Sequence, residues 1–157
     1  GTAFFASTGL IAIGGILALI GNPAPLEQVA EGIAGEQPIL LWQVRLLPAT
    51  LFLAHAFLRF VWSNRLFGYC AVVMSAVPND PSDPLAQHRA DQAAELNIRA
   101  AWNFNRGLRS MYFALGSFAW LIAWWALVAA TLAILWVLWS REYASVPHEV
   151  LSRKDPA

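Results

Sequence analysis

Between Arg109 and Arg141 the chain carries no charged residue, and residues 109–139 read RSMYFALGSFAWLIAWWALVAATLAILWVLW. About 20 apolar residues are enough to carry a helix across the hydrocarbon core of a bilayer, so a run of this length demands a lipid environment. Composition agrees: 13% of residues are charged and mean hydropathy is +0.50, whereas soluble domains carry about 25% charged residues. The expected fold class is an all-α integral membrane protein. Three transmembrane helices and one amphipathic cytoplasmic or interfacial helix form a single membrane domain over residues 1–157.

The first expected span is 2–21, TAFFASTGLIAIGGILALIG, ended by Asn22-Pro23-Ala24-Pro25. Ala3, Ser7, Gly14, Ala18 and Gly21 fall on one helical face. Small residues let backbones approach closely in lipid, so this stripe predicts a helix contact, within the chain or to a partner. Residues 22–38 carry Glu27, Glu31 and Glu36 without Lys or Arg, and LEQVAEGIA has the pattern of a short interfacial helix. The second span is 39–62, with an apolar extension to about residue 77. PNDPSDP at 78–84 is a hard break, with Asp83 as N-cap and Pro84 in the first turn of the next helix. The amphipathic helix, about 84–107, has Ala90, Ala93, Ala94, Ala101 and Phe104 on one side. Asp91, Glu95, Arg99 and Arg109 line the other, and Gly107 is the expected bend into the third span. That span, 109–139, would be about 45 Å long against a core of about 30 Å. It must tilt, protrude or break around Trp120–Trp125. Trp136, Trp139 and Tyr143 have the character of an interfacial belt, and 144–157 is a polar tail.

Basic residues set the expected orientation. The 22–38 loop has none, while the 63–109 connection has Arg65, Arg89, Arg99, Arg106 and Arg109. The positive-inside rule places the connection in the cytoplasm and the glutamate loop outside. With three spans the tail emerges outside, carrying Arg141, Arg153 and Lys154 against that rule. The expected location is the bacterial cytoplasmic (inner) membrane, multi-pass. The chain opens Gly-Thr-Ala inside an apolar run, without a basic n-region, which leads to the expectation that a native N-terminal segment precedes it.

Candidate chemistry concentrates in the second span. Arg45, Pro48, Phe52, His55, Arg59 and Trp62 are spaced 3-4-3-4-3 and share a face. Ionisable groups inside a span usually face the bundle interior or a watery cavity, so Arg45, His55 and Arg59 form the candidate intramembrane polar face. A hydrogen-bonded structural histidine is the ordinary alternative for His55. Haem would need a second intramembrane His, and His88 and His148 lie in polar segments. Arg65, Arg106 and Arg109, with Arg59, are candidate contacts for a lipid phosphate or another anion if the helix ends converge; the ordinary alternative is separate snorkelling to the interface. His88-x-x-Asp91 puts two metal-ligand types on one helical face, a common coincidence. Cys70 has no partner in the chain and reads as a small buried hydrophobe. Trp120, Trp124 and Trp125 could wall an apolar pocket, or face lipid. No nucleophile with an adjacent base emerges from any spacing. No catalytic residue, metal or cofactor is therefore expected.

Several stretches resemble a known family. AFFASTGLIAIGG at 3–15, RFVWSNRLFGYCAVVMSAVP at 59–78, ADQAAELNIRAAWNFNRGLRSMYFALGSFAW at 90–120 and SREYAS at 140–145 are similar to the bacterial and plant membrane family called domain of unknown function 599. The more specific patterns are Trp62, Ser63, Arg65, Phe67 and Tyr69, and Phe-Asn-Arg-Gly-Leu-Arg at 104–109. The resemblance covers nearly the whole chain and implies a helical membrane bundle, with a further span and a basic segment before the point where this chain begins. Family members often have a Pro shortly after Phe-Ala-Trp, where this chain has Leu-Ile-Ala-Trp-Trp. The resemblance transfers no catalytic residues.

The expected function is non-enzymatic: an accessory, scaffold or assembly subunit of a larger membrane complex. Its expected partners are membrane lipids and other membrane-protein subunits. Ten basic and ten acidic residues cancel, which argues against nucleic acid. The alternatives are a small transporter or channel-like homo-oligomer using the Arg45/His55/Arg59 face, and a redox or quinone-site membrane subunit.

Overall fold

The computed structural model describes residues 1–22, 24–25, 27–28, 32, 38–80 and 82–143, the last two by backbone alone. LEQVAEGIA and the tail from 144 onward lie wholly or largely outside the described residues. Four long helices organise the rest: α1 (Thr2–Gly21), α2 (Ile39–Ser75), α3 (Pro84–Ser117) and α4 (Trp124–Tyr143), with a 3-10 turn at Phe118–Leu121. The described residues contain no strand. Thr2–Gly21, Ile39–Ser75 and Trp124–Arg141 are long and apolar enough to cross a membrane.

The α2–α3 hairpin is the backbone of the fold. Its turn is built from short polar residues: the Asp80 carboxylate accepts from the Ser82 amide at 2.9 Å and hydroxyl at 2.7 Å. These two bonds hold the Asp80 carboxyl below its ordinary value. Asp83 accepts from the Leu85 amide at 2.8 Å, capping α3, and Pro84 occupies the first turn. The helices then meet along a seam of Ala56, Phe60, Ser63, Leu66 and Cys70 on α2 and Ala93, Ala100, Gly107, Ser110 and Ala114 on α3. Ser63 donates to the Ala100 carbonyl at 2.7 Å and Cys70 to the Ala93 carbonyl at 3.3 Å. The Arg89 guanidinium donates to the Ala76 carbonyl at the far end. Most of the α3 seam is small because the backbones are close. At Gly107 an added Cβ would stand 2.6 Å from Cε1 of the buried Phe60 ring. At the position expected to bend, α3 continues as one unbroken helix, and the missing side chain of Gly107 is a notch for Phe60.

α1 lies antiparallel to α2. Thr2 Oγ1 donates to Asn64 Oδ1 at 2.7 Å at one end, and Gln43 Nε2 donates to the Ile20 carbonyl at 2.9 Å at the other. Ile16, Leu46, Ala49, Leu53 and Ala114 form one core cluster, and Ala6, Ala56 and Phe60 a second, flanked by Phe5, Phe57 and Phe104. The packing face of α1 is thus Ala6, Gly9 and Ile16. Ala3, Ser7, Gly14, Ala18 and Gly21 are all exposed, so the stripe is not the contact within this chain. α1 is apolar around its whole circumference, so residue size alone did not mark the buried side.

Of the outcomes expected for the over-long 109–139 run, the structure takes the break, close to the expected Trp120–Trp125, and the bounds are corrected: the third span-length apolar helix is Trp124–Arg141. The helix breaks at Phe118–Ala123, and α4 folds back antiparallel on the end of α3. Gly116 sits against Ile134 and Ala130, and Arg141 Nη1 donates to the Tyr112 hydroxyl at 2.9 Å. Two features loosen the helix there without proline. Gly116 has low helix propensity, and Ser117 bonds back to the Phe113 carbonyl at 2.7 Å, an arrangement that bends helices. The hairpin turns α4 back along the last part of α3, its Arg141 reaching Tyr112, instead of carrying the chain onward as a single third span would.

Candidate functional site: a polar groove between α2 and α3

On the side of the α2–α3 pair away from α1, polar side chains from both helices interlock. His55 and Arg59 lie one turn apart on α2. Arg59 Nε donates to His55 Nε2 at 3.2 Å, and Arg59 Nη1 donates to Asn103 Oδ1 at 2.9 Å. Asn103 Nδ2 donates to the Arg99 carbonyl at 2.9 Å. His55 Nδ1 stands 2.7 Å from Ser110 Oγ, which itself donates to the Arg106 carbonyl at 3.1 Å. A guanidinium has no acceptor, so His55 Nε2 must be the unprotonated nitrogen. The imidazole is then the neutral Nδ1–H tautomer, donating to Ser110. Both ring nitrogens are engaged, and the network closes without a carboxylate.

The groove continues along both helices. On α3, Arg99, Asn103, Arg106 and Ser110 repeat at steps of four, three and four and so share a face. Arg99 is paired with Glu95, as the i,i+4 spacing predicts, its Nε 3.0 Å from Oε1. Arg106 lies over the Trp102 ring at 4.4 Å. Toward the α2–α3 turn the groove widens to about 470 Å³ between Leu66, Val73, Gln92, Glu95, Leu96 and Arg99. In the other direction, past His55 and Ser110, the wall becomes aromatic: Phe52 and Phe113 stack with centroids 5.7 Å apart.

The sequence-level candidates are therefore divided. His55 and Arg59 come together, but Arg45 stands ten residues from His55. It lies 5.5 Å from the Trp42 ring, with its Nε buried and no hydrogen-bond partner among the described residues. Arg106 joins the groove. Arg65 is exposed and lies about 120° around α2 from Arg59 at 100° per residue, and Arg109 falls on the side of α3 that carries Tyr112 and Gly116. The five arginines do not converge on one point. His88 pairs with Gln92 at 3.1 Å and Asp91 with Gln87 at 2.9 Å, so their i,i+3 spacing reflects separate surface contacts. Trp124 and Trp125 are exposed. Asn103 and Ser110, which complete the network, were not singled out from sequence. The available signal was two polar residues seven apart on a small-residue seam, where such groups join helices in lipid.

A family model described as "Protein of unknown function, DUF599" matches residues 1–147. The chain belongs to this family. No curated protein and no solved structure matches it. In this DUF599 chain the two family-like motifs split by role. Ser63, Phe104 and Gly107 serve the helix seam, whereas Trp62, Arg65, Phe67, Tyr69 and Arg106 point outward. Each motif thus contributes both to the helix seam and to the outer surface of the DUF599 fold.

Proposed function

We propose that the chain is a membrane-embedded accessory or scaffold subunit with no catalytic chemistry of its own, which docks to other membrane-protein subunits through the projecting part of the α2–α3 hairpin. The observation that carries this reading is the length of α2 and what its far end exposes. Thirty-seven residues make about 55 Å of helix against a hydrocarbon core of about 30 Å. Thr2 at the start of α1 is bonded to Asn64, and beyond that level α2 packs along α3, with Cys70 on the Ala93 carbonyl. Tyr69 and Val72 there, about 60° apart around α2 at 100° per residue, remain 52% and 68% exposed. Grouped apolar side chains outside the lipid mark an interaction surface. The hairpin formed by α3 and α4 supports a cytoplasmic location for this end of the bundle. It turns the end of α4, with Arg141 at Tyr112, back toward the part of the bundle that carries Arg65, Arg89, Arg99 and Arg106, as the positive-inside rule favours in a bacterial inner membrane.

A photo-crosslinking residue at position 72 tests the reading, with position 87 on the polar face of α3 as control. The expected result is a single membrane-protein partner captured at 72 and not at 87. Tyr69→Glu should release that partner from a native purification while leaving the bundle folded. Recovery of the chain only as a monomer or homo-oligomer, with no crosslink at 72, would refute it. The transport reading rests on a separate observation, the exposure of His55 on the groove side. It requires that His55→Ala abolish solute flux in liposomes while the folded protein is retained.

A further inference from the structure

We propose that the groove at Arg59 and Arg106 binds the phosphodiester headgroup of an anionic phospholipid, with an acyl chain running along the Phe52–Phe113 wall. The proposal rests on the membrane reading of the bundle but not on the docking role of the hairpin. Arg59 uses Nε and one Nη1 hydrogen on His55 and Asn103, leaving the rest of its five donors without an acceptor among the described residues. Arg106 is exposed and rests on the Trp102 face, and no hydrogen bond from its guanidinium joins it to a described residue. Neither meets a carboxylate among the described residues, whereas Arg99, on the same face, has Glu95. Two uncompensated cations at the edge of an apolar bundle are costly unless an anion joins them.

Register places them together. Arg59 is bonded to Asn103, and Arg106 follows Asn103 by three residues, about 4.5 Å along the axis and on the same face. A phosphate can therefore accept from both guanidiniums. Depth agrees: Trp62 and Trp102, 48% and 63% exposed, flank the pair, and indoles favour the headgroup level. The groove also changes character in the order a lipid does. It is cationic at Arg59 and Arg106, hydrogen-bonded at His55 and Ser110, and aromatic at Phe52 and Phe113.

The test is native mass spectrometry of the purified protein titrated with phosphatidylglycerol, phosphatidylcholine or inorganic phosphate. The variants are Arg106→Gln and Arg59→Lys, with Arg65→Gln as a control that removes the same charge from another face. Thermal unfolding confirms that each variant is folded. The expected result is preferential retention of phosphatidylglycerol, weakened about fivefold by Arg106→Gln, the factor that one basic residue is worth near an anionic surface. Arg59→Lys should also weaken it, because a lysine cannot keep the forked geometry, and Arg65→Gln should leave it within twofold. Equal losses in Arg65→Gln and Arg106→Gln, or equal retention of the two lipids, would overturn the site. Displacement of bound lipid by inorganic phosphate at comparable concentration would overturn the lipid as its occupant.

Discussion

Replacing Gly107 by alanine tests the helix seam at its tightest point. The new Cβ would lie 2.6, 2.9 and 2.9 Å from Cε1, Cδ1 and Cζ of Phe60. That ring has no exposed surface and is held between Phe5 and Phe104, at centroid distances of 5.4 and 5.5 Å. It cannot swing aside without displacing α1. Overpacking of this kind costs about 1–3 kcal/mol, while glycine to alanine in a helix gains about 1 kcal/mol. The expected net loss is about 1 kcal/mol, or about 3 °C in Tm for a chain of this size. Gly68→Ala is the contrasting case, because nothing lies within 4 Å of its added Cβ; it should gain up to about 1 kcal/mol. Gly116→Ala meets only the flexible end of Ile134 and should cost less than Gly107→Ala. The eight tryptophans give a fluorescence signal for unfolding in detergent micelles. Phe60→Leu completes a double-mutant cycle: the smaller side chain should remove most of the penalty of Gly107→Ala, giving a coupling of about 1–3 kcal/mol. Strict additivity, or a Gly107→Ala variant as stable as Gly68→Ala, would show that the seam is looser than described.

The remaining predictions concern the turn and the hairpin of α3 and α4. Ser82→Ala removes the larger cause of the lowered Asp80 carboxyl, so its NMR titration should move up toward the ordinary value. Because the folded group is the more acidic one, the stabilising contribution of the turn is present above the ordinary carboxylate range. It is lost as pH falls through the lowered value, and the loss should shift to higher pH in the variant. Asp83→Ala deletes the cap of α3 and should cost about 1 kcal/mol, read from the same unfolding curves. In a Cys70→Ala background, cysteines at positions 87 and 140 should react with an impermeant maleimide from the same side of the membrane. Reaction from opposite sides would refute the hairpin of α3 and α4.

The sequence by itself determined the helical class, the hard turn at 78–84 and the Asp83 cap, because charge-free length and local turn chemistry act within a few residues of one another. It also marked His55, Arg59 and Arg106 as polar groups in unfavourable surroundings. It did not identify the packing face of α1, where every side is apolar and the choice of Ala6, Gly9 and Ile16 over the small-residue stripe depends on the shape of α2. Nor did it show that Gly107 receives the Phe60 ring, or that 109–139 is a hairpin whose halves meet at Gly116. In lipid, hydrophobicity no longer distinguishes inside from outside, and the helix faces that meet are chosen by shape and hydrogen bonding between segments distant in sequence. Those contacts, His55 to Ser110 and Arg59 to Asn103 among them, exist only once α2 and α3 are in register, so the tertiary structure alone decided which of the polar residues form one site.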